Sequence, residues 1–167
     1  MKNKGIIKLI LAVALICLFG VFALGSGEST ETDQGSSDAQ PATTENTNLG
    51  DFKVEIKECR LAKDYEGKDI IIVKYGFTNN ADEPVSFMIA LDDQVYQNGV
   101  GLNETIMAAE SANYSSDNQM KDIKKGASLD VEVAYDLNDI ETDIEVEVKE
   151  SFSFDDSVVT KTFSIAE

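Results

Sequence analysis

The chain has no histidine, no tryptophan and only two cysteines among its 167 residues. Without histidine it lacks the side chain best suited to acid–base catalysis near neutral pH, which is also the commonest zinc and copper ligand. Without tryptophan, the aromatic platforms of many sugar-binding modules are fewer, although five tyrosines and eight phenylalanines remain. These absences argue against an enzyme, and the sequence predicts no catalytic residues and no cofactor.

The two cysteines, Cys17 and Cys59, lie in segments of different character. Because Cys59 is the only cysteine beyond residue 27, no disulfide can form within that part of the chain. A catalytic thiol needs a neighbouring base, and no histidine is present to supply one. We interpret Cys59 as a buried or half-buried residue of a strand, with an intermolecular disulfide as the alternative.

Acidic side chains outnumber basic ones by 31 to 14, which gives a formal net charge of −17. A surface of this sign repels phosphate groups, so nucleic acid and anionic lipid are excluded as partners. Cationic partners and divalent ions are compatible with it. Paired carboxylates can hydrolyse glycosides, but in so acidic a chain such pairs arise by chance, and one small domain has little depth for a sugar cleft.

The first residues have the pattern of an export signal. Lys2, Lys4 and Lys8 precede residues 9–24, which carry no charged side chain, and small residues follow. This pattern predicts that residues 1–27 are a signal peptide or a membrane anchor. The rest of the protein is then extracytoplasmic, either secreted or anchored at the outer face of the plasma membrane.

Two fates of this first segment stay open. The small residues favour cleavage before Ser26 or Glu28, whereas the apolar run with snorkelling lysines is near the length of a membrane span. Attachment of a lipid is not expected, because Cys17 follows Ile16 rather than a small residue and more apolar residues come after it. The protein is expected to contact the membrane only through this segment, and only if the segment stays uncleaved.

Residues 28–51 are acidic and rich in serine, threonine and glycine, and they contain no lysine or arginine. Leu49 is their only sizeable apolar side chain. Such a segment cannot bury enough apolar surface to offset the entropy of ordering it, so we predict a disordered acidic linker. Residues 52–167 then form a single domain of ordinary size.

Alternation of apolar and polar residues predicts strands throughout this domain. The alternation is clearest over 129–137 and 144–148, and turn-forming residues between these two segments predict a hairpin. Phe152 and Phe154 alternate with serines and predict a further strand. A last strand is predicted over 159–165.

The first half of the domain has the same period. Strands are predicted over 52–56, 70–78, 87–91 and 95–100, and the second of these is apolar on both faces at its start, which suits the centre of a sheet. One helix is predicted over 103–111, with an asparagine as its N-cap. Many strands at short spacing predict an all-β fold, an antiparallel β-sandwich.

Three segments carry a family resemblance: LAKDYEGKDIIIVKYGFTNNADEPVSF (61–87), VYQNGVGL (95–102) and KKGASLDVEVAYDLND (124–139). They resemble an uncharacterised family of secreted or surface-anchored proteins of Gram-positive bacteria, domain-of-unknown-function family 5067. That family is similar in turn to the immunoglobulin-like secreted immunoprotective antigens of mycobacteria. The resemblance implies an immunoglobulin-like sandwich in an extracellular location, and it implies no activity. Many members look like lipoproteins, whereas this chain lacks a suitable lipidation cysteine.

Acidic residues cluster in the predicted turn between the two clearest strands. Asp136, Asp139, Glu141 and Asp143 are candidate ligands of calcium, a cation that prefers carboxylate oxygens. An EF-hand register starting at Asp136 fails, because Ile140 takes the fifth position and Glu141 the position that needs glycine. We therefore interpret the cluster as a solvated surface, with a calcium site as the alternative.

These observations predict a non-enzymatic extracellular or cell-surface protein that acts as an interaction module. Its expected partner is a protein, a peptide or a component of the cell envelope, bound through loops or an edge strand. Two alternatives stay open. One is a structural or accessory subunit of an envelope assembly, and the other is a calcium-dependent surface module.

Overall fold

The structure is a computed structural model that describes residues 47–166. The predicted signal or anchor segment and most of the predicted linker lie outside the described residues. Within 47–166 there are nine strands: β1 (Asn48–Leu49), β2 (Phe52–Lys63), β3 (Asp69–Asn79), β4 (Leu91–Gln97), β5 (Val100–Gly101), β6 (Glu104–Thr105), β7 (Ser128–Asp136), β8 (Ile144–Glu150) and β9 (Val158–Phe163).

Helix is scarce in this part of the chain. It comprises one α-helical turn, α1 (Phe87–Ala90), and two 3₁₀ turns, Glu110–Ala112 and Asp117–Met120. None of the helices within residues 47–166 has the length and apolar character needed to cross a membrane.

The strands form two antiparallel sheets. The larger sheet has the order β1-β2-β3-β7-β6, and the smaller has the order β5-β4-β8-β9. Buried side chains from both sheets belong to one hydrophobic core, so the sheets face each other. The predicted all-β fold with antiparallel strands and little helix is confirmed.

The core is built from the inward positions of alternating strands. On β7 and β8 the predicted alternation holds, since Val133 and Val146 are buried whereas Glu145 is exposed. The fully buried side chains of the larger sheet that fill this core include Val54, Ile71, Val73, Tyr75, Phe77, Val131 and Tyr135, and those of the smaller sheet include Val95, Ile144, Val146 and Val148.

Both faces of β3 are covered at its start, as its apolar sequence predicted. Ile71 and Val73 face the smaller sheet, whereas Ile70 and Ile72 face the opposite side. There they pack beneath residues 106–123, a segment that crosses the outside of the larger sheet and is called the outer strap below. β3 therefore lies between two apolar layers.

Arg60 on β2 attaches the outer strap to the sheet. Its Nη1 contacts a carboxylate oxygen of Glu132 at 2.6 Å, and its Nη2 donates to the carbonyl oxygens of Ala112 and Asn113. Glu132 faces outward as its alternation predicted. It is half-buried and ion-paired rather than solvated.

Lys161 connects the two sheets at one edge of the sandwich. Its Nζ on β9 donates to the carbonyl oxygens of Ile56 and Lys57 on β2, at 2.9 and 2.7 Å. The β2–β3 register shifts between Ile56 and Glu58, so a bulge presents these carbonyls to a donor from outside the sheet. The cation also lies 4.7 Å from the ring centroid of Phe163.

The predicted hairpin between 129–137 and 144–148 is wrong. β7 pairs with β3 and β6, whereas β8 pairs with β4 and β9, so the chain passes from one sheet to the other between these strands. Alternation tells which side of a strand is buried and is silent on which strand lies beside it. The turn residues that suggested a hairpin serve equally well in a crossover.

The helix predicted over 103–111 is also wrong. Glu104 and Thr105 form β6 and pair with Tyr135 and Ala134 of β7, and only Glu110–Ala112 is a 3₁₀ turn. A free edge of the larger sheet offers backbone partners to this segment. Those tertiary hydrogen bonds override its local helix propensity.

Two other predicted strands need correction. Phe87–Ala90, predicted as the beginning of a strand over 87–91, is a helical turn, and its buried residues Phe87 and Ala90 are three positions apart as on one helix face. The strand predicted over 95–100 begins at Leu91 and ends at Gln97. It ends there because Asn98 and Gly99 adopt positive φ angles of 54° and 72° in a tight turn.

Two residues of the predicted linker belong to the sheet. Asn48–Leu49 pairs with Phe52 and Lys53 of β2, and the Leu49 side chain is buried in the core. The one apolar side chain of that polar segment therefore helps to close the end of the sandwich. The last strand, predicted over 159–165, is confirmed as β9 over 159–163, and Ile165 lies beyond the end of the strand.

We expect Val146→Asp to unfold the protein, because an unpaired charge in the core costs several kcal/mol of a total stability of about 5–15 kcal/mol. The matched control is Glu145→Gln at the next position of β8, where the side chain is exposed. Thermal denaturation monitored by circular dichroism measures both. Equal losses in the two variants would mean that the faces of β8 are assigned wrongly.

Candidate functional site

The four candidate calcium ligands lie in or beside the crossover from β7 to β8, but their oxygens do not converge. Oδ1 of Asp139 accepts hydrogen bonds from the backbone N–H groups of Glu141 and Thr142, at 2.9 and 2.7 Å, and Oδ2 accepts from the Thr142 hydroxyl. These bonds lower the pKa of Asp139. Asp136, Glu141 and Asp143 are exposed. Within residues 47–166 no three acidic or cysteine side chains are placed to hold a metal ion.

Gln97 holds this crossover from the core side. Its Nε2 donates to the carbonyl oxygens of Asp139 and Thr142, both at 3.0 Å, and its Oε1 accepts from the backbone N–H of Asn138 at 3.0 Å. The side chain is fully buried, so its hydrogen bonds replace water in fixing the loop. The acidic loop is therefore a turn held by protein groups.

Cys59 is a half-buried residue of β2, as predicted. Burial raises the pKa of its thiol to about 11, although the nearby Lys161 acts in the opposite direction. The thiol is therefore protonated at neutral pH, and a protonated thiol is a poor nucleophile.

A groove of about 740 Å³ lies where α1 meets the β8–β9 loop. It is called the acidic groove below. Its lining comes from α1, β4, β8 and the loop that follows: Met88, Leu91, Asp92, Glu147, Lys149, Glu150, Ser151, Phe152, Ser153, Asp155, Asp156 and Val158.

The loop 151–157 bears two phenylalanines on the protein surface. Phe152 is 96% exposed and Phe154 is wholly exposed, so the strand predicted at these residues is wrong. Phe152 also has a φ of 59°, a conformation that a bulky side chain rarely adopts and that is common where strain serves a function. The alternation of phenylalanine with serine therefore does not mark a buried face here, because both rings are exposed to solvent in a loop.

Hydrogen bonds of its own side chains fix this loop. Oδ1 of Asp155 accepts from the backbone N–H and the hydroxyl of Ser157, at 2.9 and 2.7 Å, which lowers the pKa of Asp155. The backbone N–H of Asp155 donates in turn to the hydroxyl of Ser153 at 3.1 Å. The rings are thus presented by a structured turn.

The charges around the groove are almost all negative. Five carboxylates line it, at Asp92, Glu147, Glu150, Asp155 and Asp156, against the single cation of Lys149. That lysine is 3.4 Å from a carboxylate oxygen of its neighbour Glu147. The groove therefore combines a net negative charge with exposed aromatic surface.

A smaller cavity of about 130 Å³ opens from the same region and is called the inner cavity below. It shares Met88, Leu91 and Asp92 with the acidic groove. Its other lining residues are Phe87, Asp93, Glu104 and Gln119. Carboxylates of both sheets meet here, because Asp93 lies on β4 and Glu104 on β6.

Asp93 occupies an inward position of β4, between the buried residues Leu91 and Val95. The hydroxyl of Tyr135 donates a hydrogen bond to Oδ2 of Asp93. Burial raises the pKa of Asp93 to about 6, and the negative charge of Glu104 acts in the same direction.

The hydroxyl of Tyr75 lies beside this pair. The Tyr75 side chain is fully buried. Burial and the charge of Asp93 raise the pKa of Tyr75 well above its usual value. Its hydroxyl lies against the Asp93 carboxylate and the Tyr135 hydroxyl, so the three groups form one buried polar cluster.

Asp92 and Asp93 are adjacent acidic residues of β4, but only Asp93 faces inward. The signal that distinguishes them is the alternation from Leu91 to Gln97, which places Asp93 among inward-facing apolar residues and Asp92 outside. Glu104 had no comparable signal, because its position follows from the pairing of β6 with β7.

We expect Asp93→Asn to stabilise the protein at about pH 7.5 and to change its stability little at about pH 4. The pKa of Asp93 rises from 3.8 to about 6 on folding, so the folded state binds this proton more tightly than the unfolded state. Its stabilising contribution is therefore present below the unfolded pKa and is lost as pH rises through about 6.

The measurement is the melting temperature of both proteins across this pH range. Asp143→Asn is the control, since it removes an exposed carboxylate outside the cavity. A gain for Asp93→Asn that is equal at both pH values would show that Asp93 does not carry a buried charge.

Comparison with known proteins places the fold and the family. A solved structure of a putative lipoprotein from Staphylococcus aureus subsp. aureus NCTC 8325 is similar, with a TM-score of 0.54 and 21% identity over 75% of this chain and 92% of that chain. Identity this low supports a shared fold alone. No curated protein matches the chain. The family model described as "Domain of unknown function (DUF5067)" matches residues 27–150. The chain therefore belongs to the DUF5067 family, as the resemblance of its segments predicted.

Proposed function

We propose that this protein is a non-enzymatic extracytoplasmic interaction module, and that its acidic groove binds a cationic, amphipathic segment of a partner protein or peptide. The observation that carries the proposal is a groove lined by five carboxylates, one lysine and the exposed Phe152, with Phe154 exposed on the same loop. Aromatic side chains are frequent anchors of protein interfaces, and complementary charge directs the partner that can approach.

The shape of the loop supports this function. Phe152 and Phe154 stand on a turn that Asp155 holds by hydrogen bonds, so their presentation costs little entropy when a partner binds. Asp155 and the neighbouring Asp156 place negative charge directly beside the rings. A partner with apolar side chains next to lysine or arginine satisfies both features.

The proposal includes an immunoglobulin-like fold and an extracytoplasmic location. The strand orders β2-β3-β7-β6 and β4-β8-β9 correspond to the ABED and CFG sheets of an immunoglobulin constant-type domain. This correspondence supports the immunoglobulin-like fold. The basic and apolar beginning of the sequence supports export, as does the description of the similar staphylococcal protein as a putative lipoprotein. Absence of histidine supports a non-enzymatic role.

Binding can be measured with three synthetic peptides of equal length, in which lysine alternates with phenylalanine, glutamate with phenylalanine, or lysine with serine. We expect only the lysine–phenylalanine peptide to bind, and its affinity to fall as salt is added because part of the attraction is electrostatic. The double variant Phe152→Ser and Phe154→Ser should weaken this binding by about tenfold or more.

The control variant is Ile140→Ser, which removes an exposed apolar side chain from the β7–β8 crossover. It should leave the affinity unchanged. Equal affinity for all three peptides, or equal effects of the two variants, would contradict the proposal. So would tight binding of the phenylalanine loop to zwitterionic lipid vesicles with none to the peptides, since that would make the loop a membrane anchor.

Export is tested by sequencing the amino terminus of the protein recovered from cells and from the medium. We expect a new terminus at Ser26 or Glu28 if the segment is cleaved. An intact segment in the membrane fraction would indicate the anchored form. Recovery of an intact chain from the cytoplasm alone would contradict an extracytoplasmic role.

A further inference from the structure

We infer that the protein forms a symmetric dimer, in which the acidic groove of each copy binds a basic segment of the other. The basic segment comprises residues 120–125 (MKDIKK), where the outer strap ends. This inference rests on the proposed function, because it identifies the cationic, amphipathic segment that the groove accepts. The partner is then a second copy of the same chain.

The basic segment carries positive charge that the protein itself does not neutralise. It holds three exposed lysines against the single carboxylate of Asp122. Lys125 contacts Asp82 at 2.6 Å, whereas Lys121 and Lys124 form no ion pair with any residue in the range 47–166. The acidic groove has the opposite imbalance, with five carboxylates and one lysine. The two surfaces are therefore complementary in charge.

Exposed apolar side chains accompany both charged regions. Met88 and Ile89, the two outward side chains of α1, are 50% and 60% exposed. Met120, the first residue of the basic segment, is 67% exposed, and Phe152 of the groove is almost wholly exposed. An apolar centre rimmed by polar and charged residues is the usual composition of a protein–protein interface.

The helical turn α1 adjoins both charged regions. It packs against the 3₁₀ turn Asp117–Met120, which leads directly into the basic segment. The backbone groups of Val85 and Ile123 also exchange two hydrogen bonds, at 3.2 and 3.0 Å, so the basic segment is fixed to the residues before α1. Met88 of the same helical turn lines the acidic groove. One surface of the protein therefore presents positive charge, apolar side chains and negative charge together.

Such a surface is complementary to itself. In a twofold arrangement both copies use the same patch, so that two equal contacts form on either side of the axis. With the axis at α1, the basic segment of each copy faces the groove of the other, and the outward side chains of the two helical turns pack together. The net negative charge of both copies opposes association, but charges more than about 8 Å apart are largely screened at about 0.15 M salt.

The test is sedimentation velocity of the full chain, held in a nonionic detergent because of its apolar first segment. We expect a dimer at about 100 μM, roughly ten times the dissociation constant of about 10 μM that we assign to a small interface. The double variant Lys121→Glu and Lys124→Glu, called basic-reversed, should be monomeric because like charges then meet at both contacts. The double variant Asp92→Lys and Asp156→Lys, called groove-reversed, should be monomeric for the same reason.

An equimolar mixture of the two reversed variants should form dimers again. In the mixed pair, introduced lysines face introduced glutamates at one contact, and the original charges meet at the other, so both contacts are attractive. Both variants keep the first segment and Asp155, which holds the phenylalanine loop. The control variants Lys68→Glu and Asp143→Lys reverse exposed charges in the β2–β3 turn and the β7–β8 crossover, and they should remain dimeric.

A monomeric parent, dimers in both reversed variants, or a mixture that stays monomeric would overturn the inference. Species larger than a dimer would overturn its twofold arrangement. Circular dichroism spectra establish whether the reversed variants keep the fold of the parent. If the groove-reversed variant does not fold, the comparison of the basic-reversed variant with Lys68→Glu decides the outcome.

The outcome is separable from that of the proposed function. The basic-reversed variant has an intact and unoccupied groove, so it should bind the lysine–phenylalanine peptide at least as tightly as the parent does. If the peptide binds and the parent is monomeric, the groove serves another partner and the dimer inference fails. If the mixture dimerises and no peptide binds, the dimer stands and the proposal that the groove accepts a linear segment fails.

Discussion

The structure depends on the burial of β3 on both of its faces. Its inner residues meet the smaller sheet, and Ile70 and Ile72 are covered by the outer strap. Covering the second face requires a long segment between β6 and β7, and Arg60 fastens that segment through Ala112 and Asn113. The same arrangement pairs β6 with β7 and so brings Glu104 to the inner cavity.

Two polar residues, Gln97 and Asp93, occupy inward positions of β4, and they differ in their hydrogen-bonding partners. Gln97 has all its hydrogen-bonding capacity satisfied by the crossover between β7 and β8, so it fixes a loop and leaves nothing for a ligand. Asp93 accepts a hydrogen bond from the Tyr135 hydroxyl and lies beside the Tyr75 hydroxyl, and burial raises its pKa. Gln97 therefore fixes a loop without carrying a charge, whereas the buried carboxylate of Asp93 makes the stability of this region depend on pH.

The acidic side chains are paired with cations on one surface of the protein and largely unpaired on another. On the outer face of the larger sheet, Lys57, Arg60 and Lys74 neutralise the carboxylates opposite them. In the acidic groove, carboxylates outnumber the one lysine and stand beside exposed aromatic rings. Net charge alone disfavours anionic partners, whereas this uneven distribution indicates where the proposed cationic partner would bind.

Alternation along the chain determined the class of fold and the buried side of most strands, because the period of two is a local property that burial enforces. It determined that Val133 and Val146 are buried and that the start of β3 has two apolar faces. It could not determine which strands are neighbours, so it predicted a hairpin where the chain crosses between sheets. Pairing partners, the β6 segment at Glu104 and the surface position of Phe152 were decided by tertiary structure. Hydrogen bonds between distant segments outweigh local propensity, and the acidic groove forms only where α1, β4, β8 and the loop after β8 come together.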